Sequence, residues 1–181
     1  PVSLPGAGID CFQTTAQVAV VLFGMGPGGT DYPTTLSLAG PAVVKRGAPV
    51  PAGMQFMIEM EILEMELTGT DPLLGPVTLS ESELLPSGGR IVTPLAPFFP
   101  ADSFFDVFFE IDVPGAGMTV FNKATDDYKM SAVINAIPPV GSTYVGADML
   151  LYRKGTNEAV PIGRIVSAAH TVGPVYACYP P

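Results

Sequence analysis

The chain has 181 residues and a net charge of −9 at pH 7, with 17 acidic side chains against 8 basic ones. That balance excludes a nucleic-acid surface of the usual basic kind and argues against anionic lipid as a partner. Only 14% of residues are charged and 48% are apolar, with 20 glycines and 20 prolines spread without a period. This leaves little room for long helices and suits many short strands joined by tight turns.

Pro1–Asp10 is rich in proline and glycine, and residues 1–12 read as an extended N-terminal arm of a single domain spanning 1–181. Gln13–Phe23 alternates, with Thr14, Ala16, Val18, Val20 and Leu22 on one face. Its second half is apolar on both faces, so it should be covered on both sides. The longest apolar run, Val18–Phe23, is strand-sized and too short to span a bilayer. Gly24–Gly29 matches G-x-G-x-x-G. A dinucleotide site needs a helix opening directly behind that motif, whereas Thr30–Pro33 and more strand follow, so a turn is the better reading. Leu36 and Leu38 mark a short strand ended by Gly40-Pro41, and Ala42–Arg46 another.

Residues 55–68 carry the clearest pattern. Ile58, Met60 and Ile62 alternate with Glu59 and Glu61, then Leu63, Met65 and Leu67 alternate with Glu64 and Glu66. Wound as a helix the glutamates would scatter. A strand with one bulge at Ile62 or Leu63 puts all four on one face. A turn follows at Gly69–Pro72, a strand around Val77–Leu79, a long loop over Ser80–Arg90 and a short strand at Ile91-Val92. Ser103–Val113 is the second strong strand, with Phe105, Val107, Phe109, Ile111 and Val113 facing inward. Met118–Phe121, Tyr128–Ile137, Thr143–Arg153, Ala159–Val166 and Val175–Tyr179 complete the set. Roughly ten strands with no helix between them indicate an all-β, antiparallel two-sheet sandwich or jelly roll.

Cys11 and Cys178 are the only cysteines. A disulfide between them would staple the two ends, worth ~5 kcal/mol by chain entropy, and would fit an oxidising compartment. The alternative is two separate buried thiols. The start at Pro1, without an initiator Met, reads as a processed and exported protein, extracellular or at the cell surface. A domain freed from a tag would look the same.

No catalytic set emerges. His170, the single histidine, reads as a solvated or hydrogen-bonded loop residue, and no nucleophile motif accompanies it. Glu59, Glu61, Glu64 and Glu66 could hold calcium through oxygen ligands or supply a glycosidase acid pair. The simpler reading is the wet face of a half-exposed strand. Phe98, Phe99, Phe104 and Phe108 exceed what one core needs and mark a candidate self-association surface. The leading expectation is therefore a non-enzymatic structural subunit. It would bind other copies of itself, for example by strand addition into a filament or layer, with no cofactor beyond calcium. A carbohydrate- or calcium-binding module comes second, and a hydrolase built on the carboxylates third.

Overall fold

The computed structural model describes residues 3–178. Pro1 and Val2 of the expected arm, and Tyr179 at the end of the expected last strand, lie outside the described residues. The all-β expectation holds: thirteen strands form a single antiparallel sheet. Four are long: β1 (Gly8–Leu22), β2 (Tyr32–Arg46), β4 (Gln55–Asp71) and β13 (Pro161–Tyr176). A short β3 (Val50–Ala52) folds back on the start of β4.

The other strands come in collinear halves. β5 (Gly75–Glu81) pairs with the end of β4 and β6 (Ser87–Pro94) with its start. Beyond them lie β8 (Phe109–Val113) and β7 (Ala101–Val107), then β9 (Met118–Phe121) and β10 (Tyr128–Ile134), then β12 (Met149–Arg153) and β11 (Thr143–Gly146). Both β11 and β12 end on β13. β13 pairs with β1 from Cys11↔Tyr176 to Leu22↔Gly163, so the sheet closes on itself. The two layers of the expected sandwich are therefore opposite walls of one barrel of eight staves. Its connections run up and down between neighbours rather than crossing as in a jelly roll.

Local chemistry accounts for each long stave. β1 buries Thr14, Ala16, Val18, Val20 and Leu22, the face its alternation marks. On β4 the ladder to β2 passes from Val43↔Glu64 to Val44↔Ile62, leaving Leu63 as the unopposed bulge residue. All four glutamates consequently point outward, while Ile58, Met60, Ile62, Met65 and Leu67 are buried.

β2 runs unbroken through Gly40-Pro41, where the pattern places an end. Gly40 is there for close approach: a Cβ on it would collide with the Glu66 carbonyl oxygen, and one on Gly69 with that of Ser37. β6 contains the expected short strand at Ile91-Val92 but begins earlier, inside the expected long loop, because Gly88-Gly89 carries no strand signal. Gly89 sits opposite Phe105, and a Cβ there would collide with the Phe104 carbonyl oxygen and with the Phe105 ring. The glycine makes room for an inward aromatic.

Where the staves break, side chains replace the missing ladder. Ser87 Oγ accepts from Phe108 N at 2.9 Å and donates to Phe108 O at 3.2 Å. Asn122 Oδ1 accepts from Phe109 N at 2.9 Å while its Nδ2 donates to Val107 O at 2.9 Å. At the far end of the barrel the buried Asp71 accepts from the Leu73 and Leu74 amides, Tyr32 Oη and Thr34 Oγ1. Burial alone would raise its pKa, but these hydrogen bonds outweigh it and hold the carboxyl below its ordinary range.

Of the expected arm, Gly8–Phe12 are already in β1. Cys11 and Cys178 form a disulfide with Cα atoms 5.4 Å apart. It straps the C-terminal tail over the start of β1.

The β2–β4 approach gives a direct check. Gly40→Ala should cost roughly 1–3 kcal/mol by overpacking backbone against backbone, while Gly6→Ala, with nothing within 4 Å, should leave the urea midpoint unchanged.

Candidate functional site: an apolar cavity in one half of the barrel

The two halves of the lumen are packed differently. Toward the β1–β2 turn it is filled by Leu22, Leu36, Val77, Ile111, Val120 and Leu151, all buried. None of these borders the cavity of about 90 Å3 that occupies the other half. A single water needs only about 10–15 Å3 of occupied volume, so the space suits a small or narrow organic guest. Three alanines make it, Ala16 on β1, Ala42 on β2 and Ala168 on β13, at inward positions where neighbouring rungs carry larger groups. Met60, Met65 and Met130 also line it. Their unbranched thioether chains repack easily around an irregular shape. Ile137 and Pro139, from the connection between β10 and β11, lie over its end.

Among the described residues six polar side chains reach this cavity, and five are engaged. Arg46 donates from Nε to Asp10 Oδ2 at 3.0 Å and from Nη2 to Oδ1 at 3.3 Å, and its Nη1 donates to the Gly6 carbonyl. The pair is nearly buried, with side-chain exposures of 10% and 13%. Thr14 donates to Gly40 O at 3.1 Å. The Tyr144 hydroxyl shares a 2.8 Å hydrogen bond with Ser103, and Tyr128 donates to Ala147 O at 2.7 Å. Burial, with the Asp148 charge adding to it, pushes the Tyr128 phenol up to about 12. Burial also raises that of Tyr144 against its bond to Ser103. Both phenols stay neutral.

His170 is the exception. It is not a loop residue: β13 runs straight through it, and it shares the inward phase of Ala168 and Val172, opposite Tyr144 on β11 and Ala16 on β1. Its Nε2 is sealed from solvent and has no hydrogen-bond partner. Burial lowers its pKa to about 4, so the ring is neutral near pH 7. Thr93 Oγ1 is also buried without a partner, away from the cavity.

The other expected site residues lie elsewhere. Glu59 pairs with Arg90 at 2.8 Å on the outer wall. Glu61, Glu64 and Glu66 border an external groove with Glu81 and Glu83. Burial raises the Glu81 pKa, opposed by the Ser87 amide and reinforced by the Glu61 charge. Among the described residues no group of three or more such side chains is arranged to hold a metal ion. The calcium reading therefore finds no coordination geometry there, and the carboxylates do not converge on the cavity. Phe98, Phe99, Phe104 and Phe108 are half-buried rather than bare. Phe98 meets Phe56 edge-on, Phe99 packs on the core and Lys129 covers the Phe104 ring.

The fold and site together define a closed antiparallel barrel around an apolar cavity. Among the described residues no helix is long and apolar enough to cross a membrane. The outward glutamates and inward hydrocarbon reverse the pattern of an outer-membrane barrel. The chain belongs to DUF6073, a family of unknown function, which it matches over residues 1–178. No curated protein matches it.

A solved structure, that of DynF from the dynemicin biosynthesis pathway of Micromonospora chersina, is similar with a TM-score of 0.81 and 20% identity. The match covers 96% of this chain and 83% of that one. At that identity the likeness is one of fold. It nevertheless corrects the expectation that the chain is not an enzyme: a protein of a biosynthesis pathway uses this barrel, so the fold gives no ground for a purely structural, non-enzymatic role.

The buried imidazole should be visible in the pH dependence of stability. Above about pH 6.5, folded and unfolded chains both hold it neutral. As pH falls from there to about 4 the unfolded chain takes up a proton that the folded chain refuses, and stability drops. Urea unfolding should show the wild type losing roughly 2–3 kcal/mol more than His170→Phe between pH 7.5 and 4.5.

Proposed function

We propose that this protein binds a small, largely hydrocarbon molecule inside its barrel. The observation that carries the reading is the division of the lumen. One half is packed solid, and the other is held open by alanines and adaptable methionines around an apolar space. An eight-stranded barrel is just wide enough to be filled by its own side chains or to hold one small ligand, and here it does one at each end. Removing hydrocarbon from water supplies the affinity, at about 25 cal/mol per Å2 buried, without any charged contact. A binding barrel is compatible with carrying, protecting or transforming its guest. The Cys11–Cys178 disulfide supports an oxidising setting, outside the cell or at its surface.

The assembly reading has less support. Strand addition needs a free sheet edge, and β1, the first strand, is paired on both sides by β2 and β13. Self-association through the outer wall remains a separate proposal; a strictly monomeric protein in light scattering at high concentration would end it.

Titration with the apolar dye N-phenyl-1-naphthylamine tests the cavity reading. The wild type should enhance its fluorescence saturably. Ala168→Leu, which fills the lumen, should weaken binding by tenfold or more with the melting temperature kept or raised. Absence of wild-type binding, or an unchanged affinity in Ala168→Leu, would sink the reading.

A further inference from the structure

We infer that His170 is the polar anchor of the cavity and that the guest it holds is electrically neutral, carrying one hydroxyl or carbonyl group on a hydrocarbon body. This rests on the cavity reading above and narrows it to a ligand class.

The first step is the unpaired atom. A buried polar group left without a partner costs about 1–3 kcal/mol; the His170 ring lines the cavity without a hydrogen bond to protein, and its Nε2 is closed even to a water-sized group, so a guest meets that nitrogen only as the side chains over it give way. The surrounding polar groups offer no relief. The Tyr144 hydroxyl, on the residue directly across the ladder, is committed to Ser103, and Thr14 to the Gly40 carbonyl. A guest that brings a single polar group to His170 removes the cost, whereas a plain hydrocarbon leaves it in place.

The second step is charge. Among the described residues the only ionised side chains bordering the cavity are Arg46 and Asp10, bound to each other through two hydrogen bonds. A carboxylate guest would find no free cation, and an ammonium guest no free anion. Either would carry an unpaired charge into an apolar space, at far greater cost than an uncharged group. A neutral imidazole presents one N–H and one lone pair, so it can donate to a ketone or accept from an alcohol by choice of tautomer. Burial keeps it in that form near pH 7.

Calorimetric titration with 1-decanol and decanoate at pH 7.5, alongside the naphthylamine dye, tests this. Decanol should bind the wild type more tightly than decanoate does. His170→Phe should weaken decanol about tenfold while leaving the dye unaffected, and His170→Gln, which keeps a hydrogen-bonding group, should recover most of the loss. Because the chain has one histidine, its ring-nitrogen resonances are unambiguous, and one should shift when decanol binds. Equal decanol affinity in the wild type and His170→Phe, unmoved ring nitrogens, or a preference for decanoate would each overturn the anchor. If the dye binds as expected in those cases, the cavity reading survives without it; if nothing binds, both fall.

Discussion

Everything in this molecule follows from the ladder between β1 and β13. It joins the start of the chain to its end, from Cys11↔Tyr176 down to Leu22↔Gly163, and turns a long meander into a closed wall. Closure removes sheet edges, the feature by which β-proteins recruit one another. It also separates two environments that an open sheet would leave connected. The outward rungs of β4 carry glutamates, and the inward rungs carry the hydrocarbon of a shared interior. A disulfide across the same seam, linking residues 167 positions apart, holds the two ends of the chain together.

A barrel this long need not be uniform, and its construction shows why the two ends differ. Four staves run the full length, and the other four are interrupted near mid-height. The interruptions neighbour one another around the wall: Ser82–Pro86, Phe108, residues 122–127, and residues 147–148. Each break would strand backbone groups in the interior. Ser87 and Asn122, both fully buried, take up those groups with their side chains. Below the breaks, branched residues meet across the axis and fill the lumen. Above them, alanines on β1, β2 and β13 leave it open. The wall is therefore as continuous around the cavity as around the packed half, so the cavity is part of the architecture rather than a defect in it.

The parts that sequence patterning could reach were those written in period two. The bulge at Leu63 is legible because six apolar residues and four glutamates disagree about phase on either side of it. The inward face of 103–113 is legible for the same reason, and it survives the interruption at Phe108. Glycines mislead in the opposite direction. Gly40, Gly88 and Gly89 read locally as breakers, yet Gly40 and Gly89 are required by contacts with residues far away in the chain, Glu66 and Phe105. His170 was hidden by a bulge of its own: Ala19↔Ser167 is followed by Val20↔Ile165, so the inward phase changes just before it. The cavity was least legible of all. It consists of alanines, and an inward alanine looks the same in a sequence whether its neighbours reach across to cover it or not.

Charge completes the physical picture. The chain carries −9 overall, but little of it acts inside the barrel. Arg46 and Asp10 cancel at one end of the cavity, Tyr128 and Tyr144 are kept un-ionised by burial, and His170 is kept neutral by the same desolvation. The cavity is thus lined by hydrocarbon, a few neutral dipoles and one internally paired ion pair, surrounded by an acidic exterior. The two regions select in the same direction. The outer field disfavours the approach of anions, more so at low ionic strength where screening is weak. The lumen disfavours any charge, because it has no counter-ion free to meet one. The neutrality of the cavity requires no dedicated loop; it follows from which side chains point inward and from the hydrogen bonds and ion pair that engage all the polar ones but His170.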